Sequence, residues 1–344
     1  MKINKNFDSE KNNVLPYYGE ASCCARKKKD AKPCENNAYY WVRNSMTKKL
    51  EWFCGVHSSV SNRGKLEPNP DAEKNLADML AARELKAEEE AAKNRSEKKE
   101  GHVIVTKIVG MMSKPTHTDG YRSVFPNYKQ QNTRYGFGCA RLSPKSLGPV
   151  EHGMPAQILP AARSIENYHQ FAKHWPFELD DHGKIKEEYM EKRREAYRSE
   201  VPERHKYKRE FLKAQAQSAD GNANVPAFSA FYHRETGEER RYNYIECRYF
   251  YCHWYERLAD KEQDMKTLRQ WIKDGYNLNI QGYDGFALED EKYAGMTLYD
   301  HYLDGSKPFG HELVLYSMLV VKEPEDYPWN RYCREYKDKY EGFI

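Results

Sequence analysis

Residues 68–100 read PNPDAEKNLADMLAARELKAEEEAAKNRSEKKE, and no other stretch leaves the fold so little choice. Ala, Glu, Leu and Lys are strong helix formers. Asn69 suits the N-cap and Pro70 the first helical position, where a missing N–H costs nothing. Leu76, Met79, Leu80 and Leu85 supply only a narrow apolar stripe, after which every face is polar. The expectation is a charged linker helix over residues 63–100, docked lightly at its start and solvated at its end. It separates a short segment rich in cysteine and aromatic residues from residues 101–344.

A chain of 344 residues has room for two such units. Its 39% hydrophobic content supports one substantial core but not a chain that is core throughout. Tyrosine stands out, with 27 copies against 13 Phe and 6 Trp; it buries a ring while keeping a hydroxyl for hydrogen bonding, which suits clefts and packed interfaces. The net charge of +4 arises from 56 basic and 52 acidic residues, a balance that does not demand nucleic acid although local basic runs can bind it. No apolar run approaches the roughly 18–20 residues that cross a bilayer, and the polar start MKINKNFDSEKNN does not resemble a secretory signal. The expected setting is intracellular, cytoplasmic or nuclear, with a virion as a further option and no membrane partner. Eight cysteines in that setting point to metal or free thiols rather than disulfides.

Residues 1–16 read as a loose tail and residues 17–62 as a small module. Its candidate zinc ligands are Cys24 (or Cys23), Cys34, Cys54 and His57. Cys54-Gly55-Val56-His57 offers two ligands on one tight turn, and tetrahedral zinc needs four. The first pair spans the basic loop RKKKDAKP, wider than the usual gap. Tyr39, Tyr40, Trp41, Trp52 and Phe53 gather around these positions, as a unit with little core requires. Scattered structural cysteines remain the alternative. With four protein ligands the zinc is structural, since no position stays open for chemistry, and the RKKK loop could touch phosphate or another protein. The spacing resembles the short Cys-Cys-Cys-His fingers of large DNA virus proteins.

In residues 101–344, HVIVTKIVGMM from His102 alternates and is β-branched, which predicts a strand. Ser164 to His174 predicts a buried helix that stops before Trp175-Pro176. The charged run at 183–213, interrupted at Pro202, predicts a solvated helical hairpin or a basic surface that contacts phosphate. Further helices are predicted at 244–258, 264–274 and 309–321. The fold class is α+β, mainly α, with a small sheet.

The main chemical signal is Ile165-Glu166-Asn167-Tyr168-His169-Gln170-Phe171-Ala172-Lys173. On a helix, Glu166, His169, Gln170 and Lys173 share one face, while Ile165, Tyr168, Phe171 and Ala172 pack elsewhere. Such polar groups on a core helix need a purpose, either a satisfied hydrogen-bond network or a site. A second segment runs from Arg248 and Tyr249 through Tyr251, Trp254, Trp271 and Gly275 to a short strand at 278–280 and the acidic loop Gly282-Tyr283-Asp284-Gly285.

These features together resemble the NADAR (YbiA-like) superfamily, whose members carry a helix with Glu-x-x-x-Gln-x-x-Lys, matched by Glu166, Gln170 and Lys173. Arg248 stands where the family's basic residue opens the next helix, and Asp284 follows the short strand. Phe309-Gly310-His311-Glu312-Leu313 through Ser317-Met318-Leu319 resembles the closing helix. The chain departs from the pattern at Gly285-Phe286, in lacking the closing arginine, and in residues 183–243, which read as a basic helical insertion. The resemblance implies an N-glycoside hydrolase, with Glu166 and Asp284 as the catalytic carboxylates, one stabilising an oxocarbenium-like transition state and the other activating water. Gln170, Lys173 and Arg248 would hold the substrate's polar groups, and Trp254, Tyr251 or Tyr283 would stack on the base. The implied substrate is a phosphorylated ribosyl small molecule or ADP-ribosylated nucleic acid. A non-catalytic virion or nucleic-acid-associated protein on a degenerate version of the fold is the alternative, in which His311 and Glu312 are structural.

Overall fold

The computed structural model describes Cys34 and residues 40–43, 50–53, 66–68, 72–108, 115–127, 135–205 and 226–344. Its organising element is strand β10, Asn277–Gly282, in which asparagine and glutamine alternate with leucine and isoleucine and every residue is buried. It pairs in parallel with β4 (Val103–Lys107) and with β5 (Tyr121–Phe125), and β5 continues in parallel to β6 (Phe137–Gly138), giving the order β4-β10-β5-β6. Parallel sheets need cover on both faces, and the alternation of β10 assigns a different chemistry to each. Leu278 and Ile280 join Val103, Val105 and Val124 in the main hydrophobic core.

The opposite face is polar, and every fully buried side-chain nitrogen and oxygen of its amides but Gln281 Oε1 finds a hydrogen-bond partner among the described residues. Asn277 Oδ1 accepts from Asn94 Nδ2 at 3.1 Å and from the His102 amide at 2.8 Å. Asn279 donates to Thr118 Oγ1 and accepts from Thr106 Oγ1. Gln281 Nε2 donates to the Thr116 carbonyl and to Ser123 Oγ.

Helix α1, Ala72–Ser96, covers this polar face. Ala87 and Ala91 are completely buried, so the helix backbone lies close to the sheet. Its end is held as firmly as its middle: Asn94 donates to the Gly275 carbonyl at 2.8 Å, Arg95 to the Asp274 carbonyl at 2.8 Å, and Arg122 pairs with Glu84. The expected solvated linker is thereby corrected. Its docking stripe opens with the expected Leu76, Met79 and Leu80 and continues in alanine and asparagine, which a search for large apolar side chains passes over. Asn69 and Pro70, the expected start, lie outside the described residues.

The module at 17–62 is represented by β1 (Tyr40–Arg43) and β2 (Leu50–Phe53), an antiparallel pair to which β3 (Leu66–Pro68) adds on the free edge of β1. The sheet thus extends past residue 62, into what was expected to be linker. Cys34 and Phe53 are buried. Cys23, Cys24, Cys54 and His57 lie outside the described residues.

The main core is closed by helices. α2 (Ile165–Ala172) is capped by Ser164, whose hydroxyl accepts from the Asn167 amide at 3.1 Å. It stops earlier than expected, because Lys173 and His174 turn extended and pair as β7 with β8 (Phe228–Tyr232), which pairs with β9 (Glu239–Tyr242). Helix α3, Glu187–Arg198, is charged on its outer side, but Tyr189, Met190, Arg193, Ala196 and Tyr197 are buried. Arg193 donates to Tyr197 Oη and to the Ala230 carbonyl. The expected solvated insertion at 183–243 is therefore part of the core over 187–198 and 228–242; residues 206–225 lie outside the described residues. Helices α4 (Arg248–Ala259), α5 (Gln263–Lys273), α6 (Leu298–Leu303), α7 (His311–Val320), α8 (Pro328–Glu335) and α9 (Lys337–Tyr340) complete an α+β fold. Among the described residues no helix is long and apolar enough to cross a membrane.

Candidate functional site

All four strands of the large sheet run the same way, so their carboxyl ends share one edge, where open parallel sheets of this kind place ligands. Asp284 stands just past the end of β10 on that edge, exposed. The loop beneath it is fixed from the α7 side. The Glu312 carboxylate is fully buried and accepts from the Asp284 amide at 3.4 Å. It lies so close to Gly282 and Gly310 that a Cβ on Gly282 would come within 1.7 Å of Oε1, and one on Gly310 within 2.8 Å of Oε2. His311 Nδ1 lies 3.3 Å from Glu312 Oε2, and its Nε2 donates to the Pro126 carbonyl at 3.0 Å, tying α7 to the end of β5. A carbonyl can only accept, so Nε2 carries a proton.

Glu166 comes from the start of α2. Its amide donates to the Pro144 carbonyl and the Ile165 amide to the Leu147 carbonyl, so the helix N-terminus is stapled to the loop that carries Lys145. Gln170 Nε2 donates to Glu166 Oε1 at 3.3 Å, one helical turn on. Burial pushes the Glu166 carboxyl above its usual range, and the charges of Lys145, Lys173 and His311 hold that rise in check.

Lys173 follows at the point where α2 becomes β7, rather than on the helix itself. It is half-buried, and its ammonium forms no ion pair or hydrogen bond among the described residues. Burial lowers its pKa, while Cys247, Glu166 and Asp284 raise it. The ammonium therefore feels both expected carboxylates without closing a salt bridge to either. His169 is driven well below its usual range by burial and by the Lys173 and Arg248 charges, so its imidazole is neutral at physiological pH. Its ring lies 4.9 Å from that of Tyr251 on α4. Glu166, His169, Gln170, Lys173 and Tyr251 are all half-buried: solvent touches groups whose protonation is governed by surrounding protein.

The other expected site residues lie differently. Trp254, one turn beyond Tyr251, is buried and meets Tyr168 edge-on at 6.4 Å, on the core face of α2 opposite Glu166. Tyr283 packs with Leu76, Ile108, Phe125 and Tyr135 on the α1 side of the sheet. Arg248 is within electrostatic reach of His169, but its guanidinium is committed to the carbonyls of Tyr302, Asp304 and Lys307, leaving only a buried Nε without a partner. It anchors the 302–307 turn. Tyr251 is thus the aromatic residue beside the cluster, and Lys145 joins it with no sequence signal, since only the folding of the 143–147 loop onto α2 brings it there.

The assembled groups are a half-buried carboxyl of raised proton affinity, a second and exposed carboxylate, an ammonium that feels the charge of both and pairs with neither among the described residues, a neutral imidazole and an aromatic ring. That set can bind an anionic or polyhydroxylated ligand and move a proton at it. No family model, curated protein or solved structure matches this chain.

Proposed function

We propose that the cluster at the carboxyl edge of the parallel sheet is a hydrolytic site for an N-glycosidic bond, acting on a ribosylated or ADP-ribosylated nucleoside or nucleotide. The observation that carries this reading is Lys173, a half-buried ammonium that senses both Glu166 and Asp284 and is paired with neither. Two carboxylates sealed into ion pairs could not act on a ligand; two left open around a cation can. N-glycoside cleavage passes through an oxocarbenium-like state that a carboxylate stabilises while another group moves a proton. Glu166, with its raised proton affinity, suits the proton-transferring role. Asp284 suits charge stabilisation, Lys173 and Lys145 the phosphate or ribose oxygens, and Tyr251 the base. The resemblance to NADAR proteins supplies the substrate class.

The test is release of free base, followed by mass spectrometry, from a panel that includes ADP-ribosylated guanosine and ribosylated bases. Turnover by the wild type and its loss in a folded Glu166→Gln variant are expected. Absence of turnover on the whole panel contradicts the proposal. For the first module we propose a structural zinc held by Cys34, already buried, with Cys24 (or Cys23), Cys54 and His57. A strong chelator is expected to speed proteolysis within residues 17–62 and leave the large sheet intact; an unchanged cleavage pattern counts against zinc.

A further inference from the structure

On the far side of the sheet from Glu166, a cavity of about 510 Å³ opens between α1 and the amino-terminal half of β5. Pockets for small molecules span roughly 300–1,000 Å³, so its size admits one. Its walls include Leu80, Tyr135, Phe137 and Trp271, with Phe137 set edge-on against Trp271 at 4.9 Å. Two arginines reach it and differ in state. Arg122 is paired with Glu84 and lies 3.4 Å from the Tyr276 ring centroid and 4.5 Å from that of Trp271, so its charge and its flat face are both engaged and one side of Trp271 is already covered. Arg83 is half-buried on the cavity wall and has no hydrogen-bond or ion-pair partner among the described residues. Asp119, whose charge reaches Arg83, is already held by Lys86 at 2.7 Å and His117 at 3.0 Å. Burial lowers His117, which leaves that wall residue neutral. One guanidinium without a direct partner among the described residues therefore faces an aromatic-walled space.

We propose that this cavity is a second ligand site, for a planar aromatic anion no larger than a nucleoside monophosphate, whose phosphate or carboxylate pairs with Arg83 while its ring lies among Tyr135, Phe137 and Trp271. A guanidinium offers a fork of donors that matches either anion, and aromatic walls accept a ring with little sequence of polar contacts to satisfy. The site does not depend on hydrolysis at Glu166, since its lining, Arg83 from α1, Phe137 from β6 and Trp271 from α5 among it, shares no residue with the Glu166 cluster.

Isothermal titration of the full-length protein with AMP, UMP and indole-3-acetate, against neutral adenosine, tests the proposal and shows which anion is preferred. At least one anion is expected to bind one-to-one, with adenosine weaker. Arg83→Gln is expected to weaken that anion about tenfold, the loss of one charge-assisted contact. Ala81→Trp, which adds bulk at an exposed lining position, is expected to block it. Both substitutions fall on helix positions without partners, and circular dichroism verifies their folding. Lys173→Ala is expected to leave this binding unchanged. The proposal is overturned if no anion on the panel binds, if binding survives Arg83→Gln, or if Lys173→Ala abolishes it, which would move the ligand to the first site.

Discussion

Two acidic side chains of the same fold are pushed in opposite directions by their surroundings. Burial raises the Glu166 carboxyl, so the folded chain holds its proton more tightly than the unfolded chain does. Stability is then lost as pH climbs from the unfolded carboxyl pKa, about 4.3, through the raised folded value. Glu166→Gln removes that loss and keeps a partner for Gln170. The variant is expected to melt at or above the wild-type temperature near pH 7 while losing activity, the pattern of a site that trades stability for chemistry. A lower melting temperature would make Glu166 structural. Glu178 is the converse. Burial alone would raise it, but the hydrogen bond with His174 (3.0 Å) and the His205 imidazole 2.8 Å from Oε1 bring it down to about 2. Its contribution is complete above about pH 4.3 and is lost as pH falls from there toward the folded value of about 2. Glu178→Gln is expected to cost about 3 kcal/mol at pH 7, since it breaks a buried charged network. In denaturant titrations the gap from wild type should shrink below pH 4; a constant gap would contradict the assignment.

At the scale of elements, the short strand at 278–280 and the helix at 309–321 were readable because their signals are local, the turn at Gly275 and an apolar run in α7, whereas α6 between them was not expected. Glu166, Gln170 and Lys173 were readable for the same reason, as spacing within one segment. What escaped depends on contacts distant in the chain. Ala87 and Ala91 look neutral in sequence yet seat α1 on the sheet, and Arg193 looks like surface charge yet donates to a carbonyl of β8. Trp254 and Tyr283 were chosen for chemistry, but which way a side chain faces is decided by the pairing of whole elements. Two predictions belong here. Ala91→Leu should cost about 1–3 kcal/mol by overpacking, whereas Ala82→Leu on the exposed side of α1 should be close to neutral in thermal unfolding. Gly282→Ala should depress both stability and activity, because its Cβ would strike the Glu312 carboxylate that holds the Asp284 loop.

For the molecule as a whole, α1 belongs to the large domain, and hydrogen exchange should find its amides around Ala87–Ala91 protected on the timescale of β10 rather than exchanging like a spacer. The sheet then has a structural face, closed by amide contacts under α1, and an edge where the Asp284 charge reaches Lys173. In the proposed site Glu166 and Asp284, 118 positions apart in the numbering, work on one bound substrate beside Lys173. A double-mutant cycle on single-turnover base release, with Glu166→Gln, Asp284→Asn and both together, addresses this directly. Groups that act as a unit are strongly non-additive, so each single variant should lose most of the rate and the double variant little more. Independent, multiplicative losses, or a full rate in either single variant, would contradict it.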